Sequence, residues 1–252
     1  TDRYWCIIFF DHLIKTRFGS IVSHKYNNQY ICYDSSIQPI LKNRILSGIE
    51  NDEFRLQNNS NYLDFNNGLI KKHFWRKGAM TMFNDNYFYI NLKNTRPIRE
   101  LKNYIDFNYI INNYAKNEII EIFELCIPIL AFISKSSITY KGDIVLSKIE
   151  GMTLDNYLLS DINDFNFYDD LGKCFKTLFD NGIYNFDMNI KNIIYNNLNK
   201  KISFIDFDKL IIDPSKKNNK RYTHLVLEKF KKSLGKFSLD KKFMWTKFIS
   251  SI

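Results

Sequence analysis

Alternation of apolar and polar residues dominates the first part of the chain and predicts short β-strands. The strand-like runs are Gln29–Asp34, Glu53–Leu56, Tyr62–Phe65 and Gly68–Phe74, with a short helix predicted over Ile37–Ile49. Residues 1–26 contain aromatic and then basic positions but no recognisable chemistry. We interpret them as a small N-terminal extension packed on the domain.

Helical periodicity replaces this alternation further along the chain. A helix is expected to start at Asn94 or Thr95, because Pro97 then lies in its first turn. Later elements follow from the same periodicities: a helical piece over Asn117–Leu125, strands over Ile129–Ser134 and Asp143–Leu146, and helices over Leu154–Leu159 and Tyr168–Phe179. The pattern therefore predicts a strand-rich first part and a helical second part.

The segment Tyr184–Asp208 reads as a loop, a β-hairpin and a second loop. Asp187 is followed after four residues by Asn192, and a strand then ends at Asp206. Each of these Asp and Asn residues alone is an ordinary turn residue, but their joint spacing is typical of protein-kinase-like enzymes. In such enzymes one carboxylate accepts the proton of the attacking hydroxyl. An amide oxygen and a second carboxylate hold magnesium.

A lysine and a glutamate in the first part complete this pattern. The strand Gly68–Phe74 carries adjacent Lys71 and Lys72, which alternation places on opposite faces, and we favour Lys72 as the phosphate-binding residue. Glu100, near the start of the predicted helix, is its expected partner. Alternative partners lie further along the chain at Glu118, Glu121 and Glu124.

Other kinase elements are less well matched. The turn Asn58–Asn61, which would cover the phosphates, has no glycine, although glycine lets backbone N–H groups approach a phosphate closely. The segment Ser147–Gly151 is, by order, the hinge where backbone groups would meet adenine. Arg76 and Lys77 fit an anionic acceptor and ordinary surface charge equally well.

The length of 252 residues and 45% hydrophobic content indicate an ordinary globular protein. Its net charge of +9 favours an anionic partner: a nucleotide, an acidic sugar, a lipid surface or a nucleic acid. The four cysteines are scattered, without zinc-ligand spacing, and are expected to be buried thiols. No signal peptide is visible, and the apolar run Ile119–Ile133 is interrupted by Glu121, Glu124 and Pro128.

The chain after Asp208 is short. A basic loop over Ile211–Arg221 and one or two helices are expected there, with lysines recurring at Lys229, Lys231, Lys232 and Lys236. Protein kinases use a longer activation segment to bind polypeptides, so a small acceptor is favoured. Asp208 replaces the glycine of D-F-G, which argues against a loop that flips between states.

Taken together, these residues resemble the lipopolysaccharide core kinases, most closely the 3-deoxy-manno-octulosonic acid (Kdo) kinases. The matching motifs are K-H-F-W-R-K-G (Lys72–Gly78), T-R-P-I-R-E (Thr95–Glu100), K-I-E (Lys148–Glu150), D-M-N-I-K-N (Asp187–Asn192), D-F-D-K (Asp206–Lys209) and F-K-K-S (Phe230–Ser233). The resemblance covers roughly residues 28 to 238.

The resemblance implies an α+β, bilobal protein-kinase-like fold, with an antiparallel-sheet N-lobe at 27–147 and a helical C-lobe at 148–252. It implies ATP- and Mg²⁺-dependent phosphorylation of the acidic inner-core sugar of a lipid A precursor. On this basis Asp187 is the general base, and Asn192 and Asp206 are the metal ligands. The cofactor-binding residues are Lys72, Glu100, Lys148, Ile149 and Glu150.

The implied partner is an acidic glycolipid of the Kdo–lipid A type. The implied location is the cytoplasmic face of the bacterial inner membrane, in peripheral contact with its anionic surface. Nucleic acid is not expected as a partner, because charge is the one feature that favours it.

Three departures from the family pattern leave alternatives open. Asn185 replaces the histidine expected two residues before Asp187, the phosphate loop lacks glycine, and about a dozen extra residues lie between Glu100 and Pro128. A catalytically impaired kinase fold that binds nucleotide or glycolipid is therefore one alternative. A kinase for another small alcohol is a second.

Overall fold

An antiparallel sheet built from the alternating segments organises the first part of the chain. The computed structural model describes residues 5–6, 21–26, 28–34, 62–64, 68–75, 85–160, 164, 166–236 and 243–252. The strands of this sheet are β1 (Trp5–Cys6), β2 (Ile21–Tyr26), β3 (Gln29–Asp34), β4 (Tyr62–Asp64), β5 (Leu69–His73), β6 (Tyr87–Phe88), β7 (Pro128–Lys135) and β8 (Thr139–Ser147). Their order is β1-β2-β3-β7-β8-β5-β4, and β6 also pairs with β8.

Strand β2 pairs with β3 over its whole length, from Ile21 opposite Asp34 to Tyr26 opposite Gln29. Residues 5–6 and 21–26, which lie within the predicted N-terminal extension over residues 1–26, are therefore strands of this sheet. This pairing provides hydrogen-bond partners for the backbone N–H and C=O groups along that edge of β3. Apolar side chains of the inner strands form the core of this sheet: Ile31, Tyr33, Ile129, Leu130 and Val145.

The chain divides into two units, one of residues 1–105 and 127–148 and the other of residues 106–126 and 149–252. The sheet lies in the first unit. The predicted division at residue 147 places residues 106–126 with the sheet, whereas they group with the second unit. The division falls within helix α1 (Arg96–Tyr114).

The start of helix α1 is fixed against the sheet by the T-R-P motif. The Thr95 hydroxyl donates to the Leu92 carbonyl oxygen at 2.7 Å, and the Thr95 carbonyl accepts from the Arg99 N–H at 3.1 Å. The Pro97 ring lies where a side chain at residue 142 would be, since a Cβ on Gly142 would come within 2.4 Å of Pro97 Cγ. The predicted helix start is confirmed, and Gly142 is glycine because β8 approaches Pro97 closely.

The helix predicted over Asn117–Leu125 is shorter than expected. Helix α2 covers Asn117–Ile120, and the chain then forms a bridge between Phe123 and Ile202. The Ile202 N–H donates to the Ile122 carbonyl, and the Glu124 N–H donates to the Ile202 carbonyl. These non-local bonds use backbone groups that a longer helix would have needed, so tertiary pairing overrides local periodicity here.

The second unit is mainly helical. Besides α2 and the later part of α1, it contains the helices α3 (Leu154–Leu159), α4 (Phe167–Asp180), α5 (Lys220–Lys236) and α6 (Trp245–Ser250). Its strands are β9 (Met152–Thr153), β10 (Ile183–Asn185), β11 (Ile193–Asn196), β12 (Lys201–Phe204) and β13 (Leu210–Ile212). Strands β12-β11-β9 form one small sheet and β10-β13 another. Strand β13 overlaps the start of the region predicted to be a loop over Ile211–Arg221.

Aromatic side chains form the core of the second unit. Phe175 on α4 is fully buried, and its ring centroid lies 5.2–5.7 Å from those of Phe204, Phe230 and Phe248. Such tilted and edge-on pairs add a little to the large free energy of burying each ring. The core thus ties together α4, α5, α6 and the hairpin strand β12.

Several sequence predictions lie outside the described residues. These are the helix Ile37–Ile49, the strand Glu53–Leu56, the turn Asn58–Asn61, and the basic residues Arg76 and Lys77. Cys32, Cys126 and Cys174 are buried free thiols as predicted, and burial raises the pKa of the Cys32 and Cys174 thiols. Across the described ranges, no helix has the length and apolar character needed to traverse a bilayer.

Truncation of the central ring tests this core. Phe175→Ala is expected to lower the free energy of unfolding by about 3–5 kcal/mol, because it removes buried apolar surface and leaves a cavity. The matched control is Leu198→Ala, since Leu198 is 94% exposed and its truncation should change stability by less than about 0.5 kcal/mol. Urea denaturation of both variants measures the difference, and equal stabilities would contradict the assigned core.

Candidate active site

The hairpin of β11 and β12 brings the predicted catalytic segments together. Ile193 lies opposite Phe204 in the ladder, and the Ile205 N–H donates to the Asn192 carbonyl oxygen at 2.9 Å. Asn192 and Asp206 therefore lie at the same end of the hairpin. The Asn192 side-chain Nδ2 donates to the Asp187 carbonyl oxygen at 3.1 Å, which attaches Asp187 to the same end.

Asn185 connects the two carboxylate-bearing segments. Its Oδ1 accepts from the Asp187 N–H at 2.9 Å, and its Nδ2 donates to the Asp206 carbonyl oxygen at 3.3 Å. The residue is 2% exposed, so both bonds are made away from water, where an unmade bond is costly. One buried amide thus positions both Asp187 and Asp206. Although Asn185 stands where a histidine was expected, its side chain links the two segments.

The backbone around Asp206 is held in an uncommon conformation. Asp206 has φ of 63°, in the left-handed region that few non-glycine residues adopt. The next residue, Phe207, is 1% exposed, and its ring centroid lies 4.6 Å from that of Phe107. Burial of Phe207 and the bond from Asn185 are the contacts that support this conformation.

The segment after Asp206 is fixed by strand pairing and by one tyrosine. Strand β13 pairs with β10, so that Asn185 lies opposite Leu210. The Tyr184 hydroxyl donates to the Lys216 carbonyl oxygen at 2.7 Å and accepts from the Asn219 N–H at 2.8 Å. Gly182 is required nearby, because it has φ of 72° and a Cβ there would lie 2.1 Å from the Asp213 carbonyl oxygen.

In the first unit, the structure brings together the predicted lysine and glutamate. Lys72 Nζ lies 2.8 Å from both carboxylate oxygens of Glu100. Glu100 is fully buried and Lys72 is 9% exposed. Both Lys71 and Lys72 are buried, because β5 lies between β8 and β4 in the sheet.

Lys71 has a different partner, the carboxylate of Asp143 on β8. Its Nζ lies 3.4 Å from Asp143 Oδ2, and burial lowers the pKa of Lys71 while the Asp143 charge opposes that shift. Asp143 Oδ1 also lies 2.5 Å from His73 Nδ1, and His73 Nε2 lies 3.2 Å from Asp85 Oδ2. This buried network fixes the end of β5 that carries Lys72, and it accounts for His73 in the K-H-F motif.

The predicted hinge residues follow β8 without regular structure. The Lys148 N–H donates to the Gly68 carbonyl oxygen at 2.8 Å, while Ile149 is half-buried and Glu150 is exposed. Gly151 then has φ of 127°, and a Cβ there would lie 2.5 Å from the Tyr195 carbonyl oxygen. The turn after the hinge therefore requires glycine at this position.

Two lysines at Asp187 were missed as contacts by the sequence reasoning. Lys209 Nζ lies 3.4 Å from Asp187 Oδ2, and Lys229 Nζ lies 3.5 Å from Asp187 Oδ1. The motifs D-F-D-K and F-K-K-S contain or adjoin these residues, which is the signal that could have found them. Ser233 of the second motif accepts the Ile190 N–H at 3.2 Å and so attaches α5 to the catalytic loop.

The donor set fits a magnesium ion at the end of the hairpin. Asn192 uses its Nδ2 as a donor to Asp187, which leaves its Oδ1 as the cation ligand, and Asp206 offers a carboxylate. Mg²⁺ prefers such oxygen ligands and commonly takes the rest of its octahedral set from phosphate and water. Among the residues that the structure describes, no cluster of three or more His, Cys, Asp or Glu forms a self-sufficient metal site.

Comparison with known proteins gives a family match. The profile of the Lipopolysaccharide kinase (Kdo/WaaP) family matches residues 55–250 of the chain. Comparison with curated protein sequences gives no match.

Similar solved structures include the bifunctional kinase-methyltransferase WbdD, at 13% identity and a TM-score of 0.37, covering 73% of this chain and 40% of that chain. The structure of WbdD with the kinase inhibitor LY294002 is similar at 10% identity and a TM-score of 0.38, covering 93% of this chain and 44% of that chain. The chain thus spans less than half the length of these structures.

The buried pair of Lys72 and Glu100 generates one prediction. Glu100→Ala should lower the free energy of unfolding by about 3–5 kcal/mol, because it leaves the buried ammonium group without its carboxylate. The double variant Lys72→Met/Glu100→Leu should cost less than Glu100→Ala, since no buried charge is left behind. Urea denaturation measures each variant.

The control for this prediction is Asp180→Ala. Asp180 forms an exposed pair with Lys176 at 3.8 Å, and such pairs contribute at most about 0.5 kcal/mol. A Glu100→Ala variant no less stable than this control would contradict the buried pair.

The linking amide generates another prediction. Asn185→Ala should lower the free energy of unfolding by about 1–3 kcal/mol, because it removes two buried hydrogen bonds. Asn185→Asp should cost at least as much, since it places an acceptor against the Asp206 carbonyl oxygen. The control is Asn199→Ala at an exposed turn, and an Asn185→Asp variant as stable as this control would exclude the linking role.

Proposed function

Because the chain belongs to the Lipopolysaccharide kinase (Kdo/WaaP) family, we propose that it transfers phosphate from ATP to a hydroxyl of Kdo in the inner core of a lipid A precursor. The observation that carries the proposal is the linked arrangement of Asp187, Asn192 and Asp206 around the Asn185 amide. A single carboxylate placed beside two potential metal ligands is the arrangement that kinase-type phosphoryl transfer requires.

In the proposed reaction Asp187 accepts the proton of the acceptor hydroxyl as the hydroxyl oxygen attacks the terminal phosphorus. The bond from that phosphorus to the bridging oxygen of the nucleotide breaks, and ADP leaves. The side chain of Asp187 suits this role, since it is 37% exposed and its backbone is held on both sides. A base must be accessible to the hydroxyl and rigidly placed.

Asn192 and Asp206 would hold Mg²⁺, which when bound neutralises charge on the phosphates of the nucleotide. Lys72, oriented by Glu100, would contact the nucleotide phosphates. The backbone of Lys148–Glu150 would meet the adenine, as proposed from the order of elements along the chain. Each of these roles is a proposal supported by the placement of the residue within its own unit.

The acidic acceptor is supported by charge. The net charge is +9, and exposed lysines recur on α5 at Lys229, Lys231, Lys232 and Lys236. An acceptor that carries a sugar carboxylate and lipid phosphates offers these lysines charge-assisted contacts. We propose on the same ground that the protein acts in peripheral contact with the anionic cytoplasmic face of the bacterial inner membrane.

The proposal is tested by incubating the purified protein with Mg-ATP and a Kdo–lipid A acceptor. Mass spectrometry should show a product heavier by one phosphate group. Phosphorylation of a different small alcohol, with no Kdo product, would change the acceptor assignment but keep the assignment as a kinase. An absence of nucleotide-induced thermal stabilisation would instead favour a kinase fold that has lost its activity.

Asp187→Asn supplies the corresponding mutational prediction. Turnover should fall by about 10²–10⁴-fold, because the amide cannot accept the proton. The midpoint of thermal unfolding should barely change, since the side chain is partly exposed. Asp180→Asn is the matched control and should keep full turnover, whereas an Asp187→Asn variant with near-normal turnover would refute the base assignment.

A further inference from the structure

The carboxylate of Asp187 is approached by one lysine on each oxygen. Lys209 Nζ lies 3.4 Å from Oδ2 and Lys229 Nζ lies 3.5 Å from Oδ1. The two lysine side chains are 59% and 47% exposed, so both ammonium groups remain accessible to a ligand. Two ammonium groups therefore face the carboxylate of the proposed base.

The backbones that carry these lysines are attached to the catalytic loop. Lys229 lies one turn before Ser233 on the same face of α5, and the Ser233 hydroxyl accepts the Ile190 N–H at 3.2 Å. The Lys209 carbonyl oxygen accepts the Phe186 N–H at 3.4 Å. The backbone of each lysine is thus held in place, while its flexible side chain carries the ammonium group to Asp187.

The residue two positions after Asp187, where protein kinases favour a lysine, is uncharged in this chain. Asn189 stands there, and its Oδ1 accepts the Lys191 N–H at 3.0 Å as the cap of a 3₁₀ turn. The Lys191 ammonium group lies 3.7 Å from Asp155 Oδ2. Lys209 and Lys229, in contrast, lie within ion-pair distance of the Asp187 carboxylate.

We propose that Lys209 and Lys229 bind an anionic group of the acceptor, a carboxylate or a phosphate close to the reacting hydroxyl. Binding moves the ammonium groups from Asp187 to the acceptor anion and opens the carboxylate oxygens to the hydroxyl proton. The pair therefore selects acidic acceptors over neutral ones. This inference rests on the proposed function and adds a specificity determinant to it.

The experiment compares three acceptors: intact Kdo–lipid A, the same glycolipid with the Kdo carboxylate reduced to an alcohol, and the same glycolipid without its lipid phosphates. Loss of the group that the lysines contact should lower kcat/KM of the unaltered protein by about ten- to a hundredfold. The acceptor that shows this loss identifies whether the anion is the carboxylate or a phosphate.

Substitution of the lysines should remove that selectivity. Lys209→Met/Lys229→Met should lower kcat/KM for intact acceptor by about ten- to a hundredfold, mainly through KM, and bring the ratio of kcat/KM between the intact and the altered acceptor close to one. The KM for ATP should stay unchanged. Lys209→Arg/Lys229→Arg should restore the preference for the acidic acceptor.

Lys220→Met is the matched control, because Lys220 is exposed on the same helix and its position faces away from Lys229. The inference is overturned if the double Met variant keeps the preference for the acidic acceptor, or if Lys220→Met loses it equally. A uniform fall in kcat that includes ATP hydrolysis would also overturn it, since that result would assign the lysines to the transferred phosphoryl group.

Binding of free Kdo and of inorganic phosphate, measured by calorimetry, separates this inference from the proposed function. Lysine-dependent binding without phosphate transfer would refute the proposed function and support the anion site. Phosphate transfer that is indifferent to the lysine substitutions would support the function and refute the anion site. Absence of both binding and transfer in the unaltered protein would refute both.

Discussion

The buried amide of Asn185 is the contact on which the candidate site depends. It fixes the Asp187 N–H and the Asp206 carbonyl at once, and the hairpin then places Asn192 beside them. Because the amide offers one donor and one acceptor, it satisfies two backbone groups of opposite character with a single side chain. The Asn185 amide therefore organises the site through main-chain groups of Asp187 and Asp206.

Elements with a strong local signal were predictable from the sequence, and elements defined by non-local pairing were less so. Strand β3 and helix α3 have the predicted bounds, since alternation and helical periodicity mark them clearly. The short α2 and the strand β13 were not predicted, because they depend on backbone hydrogen bonds of Ile122 and Glu124 with Ile202 and on the pairing of β13 with β10. Pairing partners distant in the chain leave little trace in a single sequence.

In the candidate site, too, local features were predictable and non-local contacts were not. The grouping of Asp187, Asn192 and Asp206 was predicted from their spacing, since the hairpin between Asn192 and Asp206 is a local structure. The pairing of Lys72 with Glu100 was predicted from the order of motifs. The linking role of Asn185 and the contacts of Lys209 and Lys229 were not predicted, because they depend on where loop and helix side chains meet in space.

The hydroxyl of Tyr184 holds a segment that begins with strand β13. Leu210–Ile212 pair with β10, and the phenol bonds the Lys216 carbonyl oxygen and the Asn219 N–H. A phosphate added to Ser215 would meet Asp213, whose carboxylate already accepts from the Ser215 hydroxyl and N–H. Phosphorylation of Ser215 would therefore replace a hydrogen bond with repulsion between two anions and disrupt this turn.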